Sequence, residues 1–279
     1  MKIAFWSNDG EKCNVHANLA AISVASVIRY PYTIITLENR LSHNNLGKTF
    51  WGNTHIHLVN EAGTNYYDGG GMEGLLRKIY RGNANSEILK SYLKEIIHKH
   101  LYYIPQGKVI HNEIFDYEFN HCIPPLFKML EAQADISMIA TASHRNLSTK
   151  TILEEADLIV VSLCQRQTIL EDFFLNHSSL TSKAVFIISD YDCHNFFTSK
   201  RISKMFDIPW ENIIVLPNNT AFQTSYTNGS TVEFISMNYK CIKEDSNYAF
   251  IQSVKKASYL IIKKTEQMLK QKERNLVRL

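Results

Sequence analysis

Short apolar runs of strand length alternate along this chain with stretches whose apolar residues recur at helical spacing. That alternation is the strongest constraint on its fold. The strand-like runs are Ile3–Trp6, Tyr32–Leu37, Leu101–Ile104, Ile136–Ala142, Leu158–Leu163, Ala184–Ile188 and Ile213–Leu216. The pattern predicts helices over Val15–Ile28, Asn83–His100, Ser148–Glu155, Gln167–Asn176, Ser199–Phe206 and Phe250–Lys272. Over 83–100 the stripe is Ile88, Leu89, Tyr92, Leu93, Ile96 and Ile97. The long last helix should dock through Phe250, Val254, Ala257, Ile261 and Met268. Glu113–Ala134 predicts one or two helices interrupted at Pro124 and Pro125, because a proline inside a helix loses a hydrogen bond. Buried strands alternating with helices imply a mostly parallel central sheet covered on both faces, an α/β three-layer sandwich. There is no internal repeat, low-complexity tract or linker. The expectation is therefore one domain over 1–279, with a loop-rich insert near 42–82 and a basic C-terminal helix at 250–279.

Composition narrows the class. Hydrophobic residues make up 45% and charged residues 20% of the chain, as in an ordinary globular protein. Cys13, Cys122, Cys164, Cys193 and Cys241 are widely spaced without a Cys-x-x-Cys pair, which argues for a reducing compartment and against a disulfide frame or a cysteine zinc site. Asp9 and Glu11 interrupt a short N-terminal apolar run, unlike a signal peptide. No run reaches the length of about 18 uncharged apolar residues that a spanning helix needs. A cytoplasmic protein is expected, with contact at the inner face of a membrane left open. The net charge of +3 is too small to imply nucleic-acid binding by itself, but it is uneven. From Lys255 onward eight cations face only Glu266 and Glu273, a net +6, so the rest of the chain carries −3. Such a tail can meet an anionic surface or form a solvated helix face.

The first strand-to-helix passage carries the strongest functional suggestion. Ile3–Trp6 reads as a buried strand, Ser7–Asn14 as a turn-rich loop, and Val15–Ile28 as an alanine-rich helix with almost no charge. This frame can present backbone amides at a helix N-terminus to a phosphate. A working phosphate loop also needs glycines for close backbone approach and a Lys-Ser/Thr pair for phosphate and magnesium. Here Gly10 and Lys12 remain, and they do not stand in that relation.

Several stretches resemble the MinD/ParA group of P-loop ATPases, which position structures in bacterial cells. They are Lys2–Ser7, Asn18-Leu19-Ala20, Tyr103-Ile104-Pro105, Glu154–Val161 and Val215–Asn219, spread over 2–262. The nearer likeness is to the TadZ/CpaE-like branch linked to pilus assembly. The resemblance implies a P-loop NTPase (MinD/ParA-like) fold, with ATP and magnesium as ligands and ATP hydrolysis as the activity. The family loop reads Lys-Gly-Gly-x-x-Gly-Lys-Thr/Ser-Thr/Ser, and two registers are open. Anchored on Asn18-Leu19-Ala20, Lys12 falls on the phosphate lysine. Cys13 and Asn14 then replace the hydroxyl residues, Glu11 the last glycine and Ser7 the signature lysine. Anchored on the strand beginning at Lys2, Val15 and His16 take the Lys-Thr positions. Neither restores the motif. The acids fail too: Asp135 survives, Ala140 stands where the second acid would be, and the carboxylate after the second strand is at best Glu38. Little is left to hold magnesium. Gly10, Glu11, Lys12, Cys13 and Asn14 are therefore expected to form a vestigial nucleotide site with a small or filled pocket. No catalytic residue, metal or cofactor is expected.

Other constellations are weaker. Gly69–Gly74 formally matches Gly-x-Gly-x-x-Gly but lacks the preceding strand of a dinucleotide motif, so it reads as a turn opening a helix over Met72–Tyr80. His55 and His57 share a strand face without a third ligand of fitting spacing. His98 and His100, placed on a helix, would point apart. Cys13, beside a lysine at a helix N-terminus, is either a thiol of lowered pKa or a small residue in a former Thr slot.

Three functions stay open. The first is a non-enzymatic MinD/ParA-like positioning or scaffold factor with protein partners, to which the resemblance adds pilus or secretion machinery and a homodimer. The second is a divergent ATPase that binds ATP and magnesium through the 7–16 loop. The third is a module that meets DNA or an anionic membrane through its basic C-terminal helix, where Met268, Leu269, Leu276, Val277 and Leu279 lie among the cations.

Overall fold

The computed structural model describes residues 1–9, 12–40, 45–51, 70–107, 111–142 and 146–276. Among them, eight strands form one sheet: β1 (Lys2–Trp6), β2 (Ile34–Glu38), β3 (Lys94–Ile97), β4 (Leu101–Tyr103), β5 (Ile136–Ala140), β6 (Leu158–Cys164), β7 (Ala184–Tyr191) and β8 (Ile213–Pro217). Their order is β3-β4-β2-β5-β1-β6-β7-β8, and every neighbouring pair is parallel except β3 with β4. The expected α/β architecture is the observed one.

Period-two alternation sends side chains to two cores. Ile3 and Phe5 face one side of β1, while Ala4 and Trp6 face the other. On the first side pack α1 (Val15–Arg29), α2 (Leu46–Trp51), α9 (Thr220–Asn228), α10 (Thr231–Asn238) and α11 (Tyr248–Leu276). On the second lie α3 (Gly71–Tyr80), α4 (Ser86–Tyr92), α5 (Asn112–Gln133), α6 (Leu147–Glu155), α7 (Gln167–Asn176) and α8 (Ser199–Met205). Helix α1 is buried along most of its length, from Val15 to Val27, which explains why its sequence has no acid and so many alanines. Each fully buried side chain such as Leu19 or Ile22 contributes roughly 1.5–3 kcal/mol. Arg29 ends the helix, and Tyr30 turns to an extended conformation, as a residue before proline prefers. Helix α11 docks as expected, with Phe250, Val254, Ala257 and Ile261 buried and Met268 partly so.

Three expectations need correction. The helix over 83–100 is instead the short α4 followed by β3, which pairs antiparallel with β4. Leu93 leaves helical geometry, the β-branched Ile96 and Ile97 extend, and Lys99 turns the hairpin at φ 62. His98 and His100 thus sit on a hairpin turn, and His98 bonds Glu95 at 2.6 Å. Secondly, α5 runs unbroken through Pro124 and Pro125. Pro124 is exposed and Pro125 half-buried, and Asn120 and His121, whose carbonyls they leave without a helical partner, are half-buried and exposed, while Phe119, Cys122, Ile123, Leu126 and Leu130 hold the buried stripe. Thirdly, α9 and α10 occupy a stretch for which the sequence pattern suggested no element.

In the 42–82 insert, the described part is helical, as α2 and α3; His55, His57 and Gly69 lie outside the described residues. Gly71 opens α3 at φ 71. A Cβ there would stand 2.6 Å from the Pro105 carbonyl oxygen, which bonds the Met72 N–H at 2.7 Å. Gly71 therefore serves backbone packing.

Candidate functional site

Strand β1 lies between β5 and β6, and the chain crosses it in passing from one to the other. In an open α/β sheet the crevice at the carboxyl ends of such strands is where ligands bind. The loop from Ser7 to Asn14 leaves β1 at that crevice. Gly10 and Glu11 lie outside the described residues. Asn8 pins the loop to α7, its side-chain amide donating to the Ile169 carbonyl at 2.9 Å and to Asp172 Oδ2 at 2.8 Å. Lys12 does not reach toward the crevice's helix. Its ammonium pairs with Asp9 at 3.0 Å, and its side chain is 57% exposed.

Cys13 is fully buried. A hydrogen bond with the Cys164 thiol, and then burial, push its own thiol up, opposite to the lowered-pKa alternative. Its carbonyl accepts from Ser189 Oγ at 3.0 Å. Asn18 ties the same corner together, donating to Ser189 Oγ at 2.8 Å and Ser162 Oγ at 3.0 Å. Asn14 sits in the left-handed region at φ 53 and does not cap α1 with its side chain. It donates instead to Asp190 Oδ2 at 2.7 Å, and Asp190 is itself left-handed at φ 49. Asn and Asp tolerate that region better than other side chains. The first-turn amides of α1 are thus left without a side-chain cap where the helix borders the crevice.

Helix α1 opens at Val15, so its first turn contains Val15 and His16, the placement of the strand-anchored register, and Lys12 precedes the helix. His16 is the residue that decides the site's chemistry. Its Nε2 lies 2.9 Å from Glu38 Oε2, and its Nδ1 lies 3.2 Å from Arg40 Nη2. A guanidinium only donates, so His16 Nδ1 accepts and the Nε2–H donates to the carboxylate. Glu38 Oε1 takes the Leu46 N–H at 3.1 Å and the Tyr103 hydroxyl at 2.6 Å. Burial and the Glu38 charge hold the Tyr103 phenol well above its ordinary range, so it remains a donor. Glu38 is 1% exposed and bonded at both oxygens. Its register partner is Ala140. Asp135 lies at the far end of β5, where it accepts the Thr33 N–H at 2.8 Å.

Among the described residues, Lys12, His16 and Glu38 are not arranged to hold a magnesium-bound triphosphate. The one carboxylate at the crevice end of β2 is closed off by three donors. The first turn offers an imidazole where a metal-binding hydroxyl is needed, and the described lysine of the loop is paired elsewhere. The expectation of a small or filled pocket is nevertheless wrong. A cavity of about 530 Å³ borders the start of α1. Its apolar wall is Leu216, Pro217, Phe222, Tyr226 and Phe250; Asn14, Arg40, Asp190 and Asn219 supply polar groups. The Cys13 side chain turns into the core, so it takes no space from this cavity. Arg40 Nε is buried there without a hydrogen-bond partner among the described residues.

Arg40 and the α9 residues were not singled out from sequence. Asn219 accepts the Phe222 N–H at 2.7 Å as an N-cap, and Gly229 ends α9 at φ 74. That Asn-to-Gly spacing was the available signal for the helix.

The fold is the mostly parallel α/β fold seen in solved MinD and ParA ATPase structures. No family model and no curated protein matches the sequence. Solved structures do. A ParA family ATPase from Chlorobium tepidum TLS superposes with a TM-score of 0.70 at 13% identity, over 92% of this chain and 98% of that one. The cell division ATPase MinD of Pyrococcus furiosus gives 0.66 at 15%, over 94% and 98%. A plasmid partition protein of Borrelia burgdorferi bound to AMPPNP gives 0.61 at 12%, over 94% and 98%. At such identities the likeness establishes the fold. Among the described residues no helix is long and apolar enough to cross a membrane.

Proposed function

We propose that this protein is a MinD/ParA-like positioning or scaffold factor that does not turn over ATP efficiently. The observation that carries the reading is the Arg40–His16–Glu38–Tyr103 chain of hydrogen bonds at the head of α1. It closes the corner where metal-assisted phosphoryl chemistry needs free oxygen ligands. On this reading the fold's surfaces serve protein partners. The earlier resemblance to the TadZ/CpaE-like branch nominates pilus or secretion machinery, with a homodimer as the working assembly. The test is calorimetry with ATP and magnesium together with a phosphate-release assay. Heat-silent titration and no release are expected. Micromolar binding with turnover abolished by Lys12→Ala would overturn the proposal and establish the divergent ATPase, the alternative that the open cavity favours.

A separate observation supports the surface-binding alternative. Arg29, Lys255 and Lys256 border one groove with Tyr239 and Tyr259, and among the described residues no acid lines it. Lys255 lies 4.4 Å over the Tyr239 ring and Lys256 5.3 Å over Trp210. Such cation–aromatic surfaces attract polyanions. Lys255→Glu with Lys256→Glu should abolish any sedimentation with anionic vesicles or retardation of DNA. Association unchanged in that variant removes the alternative.

A further inference from the structure

We propose that the turn after β7 binds a borderline divalent transition-metal ion, zinc being the leading case, through Asp192, Cys193 and His194. One donor atom from each residue lies within 4.8 Å of the other two, and all three residues are exposed. The turn that presents them is anchored. Gln165, next after β6, accepts the Asp192 N–H at 2.7 Å and donates to the Asp192 and Phe197 carbonyls, each at 2.9 Å. The Asn195 N–H closes the turn onto the Asp192 carbonyl at 3.2 Å. Asp192 Oδ1 accepts the His194 N–H at 2.9 Å, which orients the carboxylate. Asp190 is bonded to Asn14 and stays out of the cluster. Cys193 is a free thiol.

The donor set selects the metal. A thiolate and an imidazole suit zinc or cobalt(II), whereas magnesium and calcium take oxygen ligands. In a tetrahedral site with zinc–sulfur and zinc–nitrogen bonds of about 2.3 and 2.0 Å, neighbouring donors stand about 3.3–3.6 Å apart. The remaining gap, at most about 1.5 Å, is within reach of rotamer changes in exposed side chains. Three protein donors on an open turn leave the fourth position to water. Binding releases the Cys193 proton to solvent, so affinity rises with pH.

The test is cobalt(II) chloride titrated into the full chain kept reduced with a phosphine. The expected result is a thiolate-to-cobalt charge-transfer band that saturates at one cobalt per chain. Equimolar zinc should displace it, and millimolar magnesium should not. Cys193→Ser should abolish the band, and His194→Ala should weaken cobalt binding by about tenfold or more. Both changes lie on an exposed turn, and circular dichroism confirms that the variants fold. Three results overturn the proposal: no band at millimolar cobalt, a band that survives Cys193→Ser, or saturation at one cobalt per two chains.

Discussion

Replacing His16 by alanine measures whether the imidazole holds the Glu38 carboxylate. Glu38 is 1% exposed and His16 6%, so water replaces the lost partner poorly. A hydrogen bond to a charged group contributes about 1.5–3 kcal/mol. Alanine returns roughly 0.5 kcal/mol through helix propensity. The expected net loss is about 2 kcal/mol, or about 4–8 °C in Tm at roughly 2–4 °C per kcal/mol for a chain near this size. The assays are urea denaturation followed by circular dichroism and scanning calorimetry. Glu38→Gln removes the charge of the other partner, and the double variant should show a coupling of at least about 1 kcal/mol between them. A loss under about 0.5 kcal/mol for His16→Ala, or additive single effects, refutes the assigned contact.

Lys12→Ala should leave stability within about 0.5 kcal/mol, since the Asp9 pair is solvent-exposed; a clear drop in Tm would mean that the lysine has a buried partner. Gly71→Ala should cost at least about 2 kcal/mol, because φ 71 and the 2.6 Å approach to the Pro105 oxygen both oppose a side chain; an unchanged Tm contradicts this. Burial first, and Glu118 second, push the Cys122 thiol up to about 11 from its ordinary 9.0. The folded chain then holds that proton more tightly than the unfolded one. The contribution is complete below pH 9.0 and is lost as pH rises to about 11. Relative to Cys122→Ala, the wild type should lose ground over that window, and parallel stability curves would count against the shift. Iodoacetamide at pH 8 should label Cys193 and spare Cys13 and Cys122, a pattern read by mass spectrometry; equal labelling of all three defeats the burial argument.

Local pattern determined much of this protein. The runs at Ile3, Leu158 and Ala184 are apolar on both faces because both faces of the sheet are covered, and that is a property of neighbouring residues in the chain. The weak stretch at 83–100 was ambiguous for the same reason. Ile88 to Ile97 satisfies a helical stripe, and only pairing with Leu101–Tyr103 makes its second half a strand. The proline pair in α5 reads as a break in sequence, and only packing places it on the side of the helix away from the buried stripe.

At the crevice, the family resemblance implies, in one of its two registers, that Cys13 and Asn14 stand in place of hydroxyls, and that Ala140 stands in place of an acid. It does not show which side chains meet there. His16, Glu38 and Arg40 are separated by 22 and 24 positions in sequence. They meet because the parallel pairing of β2 with β5, and of β5 with β1, brings the end of β2 beside the head of α1. The cavity also depends on α9, which the sequence reading did not recognise, folding over the ends of β7 and β8. Residue type and spacing thus determined the layers, because burial periodicity is local. The tertiary structure decided the site, because a buried carboxylate takes its donors from whatever strand and helix ends the fold brings within hydrogen-bonding distance.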